Sequence, residues 1–170
     1  MEAFIIFHQP VSDHSVSQLE SKAIDLVARG VERLTVVINS GGGNTYAGLG
    51  AFHLLRSLPI EVNTHAHSVC GSIAASIYLA GRRRTIAAAS AVILHATTFT
   101  EGPLAGQQSM FNIAVAEPFR AIAGWGDDLV MRFLSSGENY LWPAEAVELG
   151  FAHEVIDLQI PLGAEIHHIA

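Results

Sequence analysis

Cysteine is nearly absent: Cys70 is the only one in 170 residues. This excludes an intramolecular disulfide and fits a reducing compartment, so a cytoplasmic location is expected. Basic residues are scarce as well. Nine Lys and Arg stand against sixteen Asp and Glu, a net charge of -7, and the one local basic cluster is Arg82, Arg83 and Arg84. Such a balance lacks the basic face that phosphate binding requires, so nucleic acid is excluded as a partner. No cationic segment with a long apolar stretch opens the chain, and no apolar run reaches membrane-spanning length. Neither a secretory leader nor a membrane is expected. Nine histidines are present, but His65 with His67 and His167 with His168 come without a third ligand at metal spacing, so no metal site is expected. The run Gly41, Gly42, Gly43 lacks the lysine and hydroxyl of a nucleotide loop, which argues against ATP hydrolysis by this chain. Repeats, low-complexity tracts and linkers are missing too.

What is present is half hydrophobic, enough for one domain over 1–170 and high enough that some surface is expected to be hidden in an oligomer. "FIIF" (4–7) reads as a buried strand. Ser15 with Gln18 reads as a capping box, and Val16, Leu19, Ala23, Leu26 and Val27 recur at helical spacing up to Gly30. "LTVVI" (34–38) is a second strand, followed by the glycine turn and a helix from Thr45 to Leu58. "EVNTHAH" (61–67) alternates like a half-buried strand. "CGSIAASIYLAG" (70–81) is small and apolar on every side, as a buried helix would be. "AVILH" (91–95) is another strand, and 101–137 holds a long imperfect helical pattern with breaks or kinks expected at Pro118, Gly124 and Gly126. A short helix over 142–150 then leads to a last strand, "FAHEVI" (151–156). Alternating strands and helices are the α/β signature.

Chemistry is expected at the turns after strands, where open α/β sheets bind ligands. The three glycines are either a simple strand-to-helix turn or a backbone N–H array aimed at a developing negative charge. Ser72 opens the buried helix, as an N-cap or as a nucleophile. His95 closes its strand and projects toward the same end as the turns. Cys70 is read as a small buried residue.

Taken together, "INSGGG", "GSIAAS", "AVILHATT" and "LWPAEAVELGFAHEVI", in this order, resemble the proteolytic subunit of the Clp protease, a ClpP-like serine peptidase of the crotonase-like superfamily. The resemblance runs from about Phe4 to Ile156. It implies a ClpP/crotonase-like α/β fold: repeated β-β-α and βα units, with a mostly parallel sheet flanked by helices. It implies Ser72 as nucleophile and His95 as general base, and the spacing back from Ala80 and Gly81 selects Ser72 over Ser76. It also places Gly42 and Ile73 where the family's oxyanion-hole N–H groups lie. Glu138 stands where the family usually has the triad aspartate, with Asn139 or a triad without an acid as competitors. Gly41 replaces the family's proline. The activity implied is peptide-bond hydrolysis through an acyl-enzyme, without a cofactor, on peptides or unfolded proteins. A non-catalytic scaffold subunit and an acyl-CoA enzyme of the crotonase group are the alternatives. A ring-shaped homo-oligomer is expected, with 101–137 as a shortened handle-like segment. An ATPase unfoldase is the family's partner; because Met1 lies almost at the first strand, the family's axial N-terminal segment is expected to be missing and unfoldase docking to be weak.

Overall fold

The computed structural model describes residues 1–99 and 102–169. Its eight strands form one sheet, whose main path has two strands in mid-sheet: β2 (Arg33–Ser40), and β3 (Glu61–Gly71), which runs longer than its alternation predicts. β1 (Glu2–Phe7) lies beside β2, and β8 (Glu165–Ile169) lies beside β1, all parallel. The register between β2 and β3 shifts after Ile38, so that Ser40 pairs with Cys70. A bulge of this kind bends a strand and re-aims it. The first part of β3 therefore pairs with β4 (Arg84–Ile86), and its end, Val69 to Gly71, pairs with β5 (Ala91–Leu94). β6 (Asn139–Leu141) closes the far edge as the antiparallel partner of β5, and β7 (Glu154–Val155) pairs with β4. The mostly parallel α/β architecture expected from the sequence is present.

One sheet face carries Ala3, Ile5, Phe7, Leu34, Val36 and Ile38 into the main core, under α1 (Asp13–Ala28) and α2 (Thr45–Ser57). The opposite face buries a smaller cluster, Phe4, Ile6 and Val37, under Leu158 and Ala164. Burying both faces is what makes the β1 and β2 segments near-continuous apolar runs. On this second face His65 is fully buried, and burial pushes its imidazole down to about 4, so it packs neutral, with Nδ1 2.9 Å from Thr85 Oγ1.

Several elements differ from expectation, each for a physical reason. The capping box is Ser12 with Ser15 rather than Ser15 with Gln18: Ser12 takes the extended N-cap backbone, its Oγ accepts the Ser15 N–H, and Ser15 Oγ accepts the Ser12 N–H. The buried helix is α3 (Ala74–Leu79), all six residues buried, and it starts late because pairing with β5 keeps Val69 to Gly71 in β3. The 101–137 segment holds α4 (Asn112–Ala123) and α5 (Asp127–Phe133). Gly124, left-handed at φ 74, and Gly126 separate them as expected, but Pro118 lies inside α4. The one bond its ring removes is to the half-buried Ala114 carbonyl, and the ring itself is buried. Thr100 and Glu101, at the start of the expected segment, lie outside the described residues. After α6 (Pro143–Glu148), the strand expected over "FAHEVI" is shorter: His153 to Ile156 run along β4, with the His153 and Ile156 N–H groups donating to the Arg84 and Ile86 carbonyls, and a side chain fixes the start. The buried Arg84 guanidinium donates to the carbonyls of Gly81, Gly150 and Phe151, and the Arg84 N–H donates to His153 Nδ1.

Candidate functional site

The glycine turn after β2 is built for close approach. Gly42 and Gly43 have φ of 100° and 148°, backbone that side chains rarely adopt. A Cβ on Gly42 would lie 2.6 Å from Ser72 Cβ and 2.8 Å from the Gly71 carbonyl oxygen; one on Gly43 would lie 2.2 Å from the Val11 carbonyl oxygen. Gly41 has open space around it, so its lack of a side chain is not required by packing. Asn44 then caps α2, its Oδ1 accepting the N–H groups of Tyr46 and Ala47 at 3.0 and 3.1 Å. The signal for this cap was in the sequence, since Asn before a helical pattern is a favoured N-cap.

Ser72 sits in the turn between β3 and α3 with φ 50, the only non-glycine residue at positive φ among those described. Its N–H donates to the Ile93 carbonyl at 2.7 Å, which ties the turn to β5. A left-handed serine stores roughly 1–3 kcal/mol of strain. The capping alternative does not apply: Ile73 is the N-cap of α3, and no side chain caps that helix. Ser76 is fully buried with its Oγ unpartnered, one turn inside the core.

His95 follows β5 and is half-buried. Its Nδ1 lies 2.8 Å from the Ala96 carbonyl oxygen. A carbonyl only accepts, so Nδ1 carries the proton and Nε2 is left as a base. Ser72 and His95 line one cleft of ≈ 510 Å³, walled by Asn44, Tyr46, Phe99 and Phe111, with Tyr46 and Phe111 in edge contact at 4.6 Å. The two site residues are not hydrogen-bonded to each other here. The wall beyond His95 is a flap that periodicity missed. Phe99 N–H donates to Gln107 O, Gly106 N–H to Phe99 O and Ser109 N–H to Thr97 O, while Asn112 Oδ1 at the head of α4 accepts the Thr97 N–H at 2.6 Å.

The backbone donors stand on either side of Ser72. The Ile73 nitrogen would be 3.3 Å from a Cβ on Gly42, so the two positions adjoin. The Ile73 N–H has no acceptor among the described residues, whereas the Gly42 N–H donates to Ser40 Oγ at 3.2 Å. Glu138 stands apart. β5 and β6 pair Ile93 with Tyr140 and Leu94 with Asn139, and His95 and Glu138 are the next residues past that pairing. There the ladder ends: the Ala96 N–H donates to Ser135 O, and the exposed Glu138 carboxylate accepts from the Tyr140 hydroxyl at 2.8 Å. Asn139 is occupied too, its amide donating to the carbonyls of Phe133 and Gly137. Of the five expected site residues, Ser72 and His95 line the cleft, Gly42 and Ile73 adjoin Ser72, and Glu138 is bonded to Tyr140.

Among the described residues no group of three or more His, Cys, Asp and Glu is placed to hold a metal ion. Cys70 is fully buried behind the turn, and burial pushes its thiol well above the ordinary value, which keeps it protonated. Among the described residues no helix is long and apolar enough to cross a membrane.

A mostly parallel sheet with a serine and a histidine brought to one cleft by successive strand ends defines an α/β domain of Clp-peptidase type. The family model for Clp protease matches residues 1–120, and the chain belongs to that family. The match takes in Gly42, Ser72, Ile73 and His95 and stops before Glu138. The ATP-dependent Clp protease proteolytic subunit 1 of Mycobacterium tuberculosis (strain ATCC 25618 / H37Rv) is 24% identical over 164 residues, covering 91% of this chain and 82% of the relative. The proteolytic subunit of Bacteroides thetaiotaomicron is 29% identical over 121 residues, 69% of this chain and 53% of the relative. Among solved structures, a ClpP1 mutant from Listeria monocytogenes superposes with a TM-score of 0.79 over 92% of both chains at 16% identity, a likeness of fold.

Proposed function

We propose that this protein is a serine endopeptidase with Ser72 as nucleophile and His95 as general base. The observation that carries the reading is the strained Ser72, held against the glycine turn in the same cleft as His95. As Ser72 Oγ attacks the scissile carbonyl carbon, its proton passes to His95 Nε2, and the carbonyl oxygen becomes an oxyanion held by the N–H groups of Gly42 and Ile73. For this the Gly42 N–H exchanges Ser40 Oγ for the oxyanion. His95 then gives the proton to the leaving amine as the C–N bond breaks. Water, deprotonated by His95, cleaves the acyl-ester, releasing the carboxylic acid and restoring the serine. Glu138 is the acid that orients His95 in the working site.

The substrates on this reading are peptides or unfolded proteins, the assembly a ring-shaped homo-oligomer and the location cytoplasmic, although one relative, from Arabidopsis thaliana, is chloroplastic by name. The relatives are named as subunits of ATP-dependent proteases, which makes an ATPase unfoldase the partner to look for. A second reading, a non-catalytic scaffold subunit, is favoured by the Glu138 carboxylate lying on Tyr140 rather than His95. Fluorophosphonate labelling separates the two. Ser72 alone is expected to be modified, and Ser72→Ala to lose labelling and peptidase activity while its circular dichroism is unchanged. Full activity in the folded alanine variant would sink the serine peptidase reading.

A further inference from the structure

Glu138, Tyr140 and Trp142 alternate along β6 and its flanks and so share one face of the sheet edge. On the neighbouring strand Ile93 pairs with Tyr140 and Leu94 with Asn139, and His95 and Glu138 are the next residues past the end of that pairing. There His95 Nδ1 donates to a neutral backbone carbonyl, and the Glu138 carboxylate is held by a phenol.

We propose that Tyr140 is a positioning residue: its hydroxyl holds the Glu138 carboxylate off His95, and the acid joins the histidine when that hydrogen bond opens. The inference rests on the reading of Ser72 and His95 as nucleophile and base, and it adds a regulation to their site. Three features support it. The Tyr140 ring is stacked on Trp142, with centroids 5.9 Å apart and planes 15° from parallel, so the hydroxyl is held in place beside Glu138. Gly137, at φ 80, turns the backbone just before Glu138 in a conformation that a side chain would disfavour. Both partners are exposed, so water can replace either one's lost bond, and the exchange is close to balanced. The Glu138 bond also raises the Tyr140 phenol above its ordinary value, which keeps the donor protonated. What tips the balance is the charge that His95 gains when it takes the serine proton, because a carboxylate on Nδ1 stabilises that cation and a backbone carbonyl does so less.

The test is Tyr140→Phe, which keeps the ring and its stack on Trp142 and deletes only the hydroxyl. The Nδ1 proton resonance of His95, read in histidine-labelled protein, is expected to move downfield as a carboxylate replaces the carbonyl. With it, kcat on a short peptide should rise roughly threefold to tenfold with KM unchanged, and adding Glu138→Gln to the Tyr140→Phe chain should reverse both effects. An unmoved resonance overturns the proposal whatever the rate does, and a moved resonance with unchanged kcat overturns its part in turnover. Because the resonance needs no turnover, the two ideas fail separately. A resonance that moves in a protein whose Ser72 resists labelling would keep the latch and remove the peptidase, and an unmoved resonance with Ser72 labelled would do the reverse.

Discussion

Gly42 is the residue on which most of the site's geometry converges. Its α-hydrogens face Ser72 Cβ and the Gly71 carbonyl, so an added methyl group would lie 2.6 and 2.8 Å from them, against backbone that cannot swing away. Its φ of 100° adds conformational strain to that contact. Gly42→Ala is therefore expected to displace the Ser72 turn, with a loss of stability of about 1–3 kcal/mol and a fall in turnover larger than that loss explains. Peptide hydrolysis and urea unfolding measured on the same preparation check this. Gly41→Ala is the control, since open space at Gly41 accommodates a Cβ. Equal activity in both alanine variants would show that the close approach of the glycine turn to Ser72 is not needed for catalysis.

At the scale of elements, the flap over the cleft hangs on Asn112, the first residue of α4. Its side chain accepts the Thr97 N–H and donates to the Thr97 carbonyl, a two-way clasp between the strand leaving His95 and the helix. Asn112→Ala should free the flap while leaving the core intact, raising KM several-fold with a smaller change in kcat, and a thermal midpoint close to that of the parent. A large drop in midpoint with KM unchanged would make the clasp structural only. This flap also marks the limit of what the sequence discloses. The helices α1 and α2 and the strands β1, β2 and β5 were legible because apolar residues recur at a single period between turn signals. That Ser72 and His95 reach the same cleft was suggested by their places after strands, whereas the roles proposed for them came from the family resemblance. β4 and β6 are three residues each, too short for a period, and β6 is a strand only because β5 lies beside it. The hairpin-like pairing of 97–99 with 107–109 is likewise set by backbone partners. The detour of Glu138 to Tyr140 depends on where the ladder ends, and no spacing in the chain records that.

At the scale of the molecule, the apolar residues after His95 divide between the core and the surface. Val115, Phe119, Val130 and Phe133 are buried in the chain's own core, where Phe119 packs with Trp125 and Phe151. Phe119 therefore belongs to the fold and not to a subunit contact, and a charge there would unfold the monomer. What stays outside is Met110 at 77% exposure and Ile113 at 75%, at the start of α4, with Met131 exposed on α5. If the ring-shaped assembly forms through this segment, Ile113 is the residue that should meet another copy. Ile113→Asp would then set a carboxylate in a desolvated contact at a cost of several kcal/mol, while the isolated chain, in which Ile113 faces solvent, keeps its fold. Sedimentation velocity should show the parent as an oligomer and Ile113→Asp as folded monomer, with peptidase activity lost in step because α4 anchors the flap through Asn112. Ile113→Leu should retain both size and activity. A parent chain that is monomeric at micromolar concentration and still cleaves peptides would refute the assembly, and an Ile113→Asp chain that remains oligomeric would place the contact on a surface other than the start of α4.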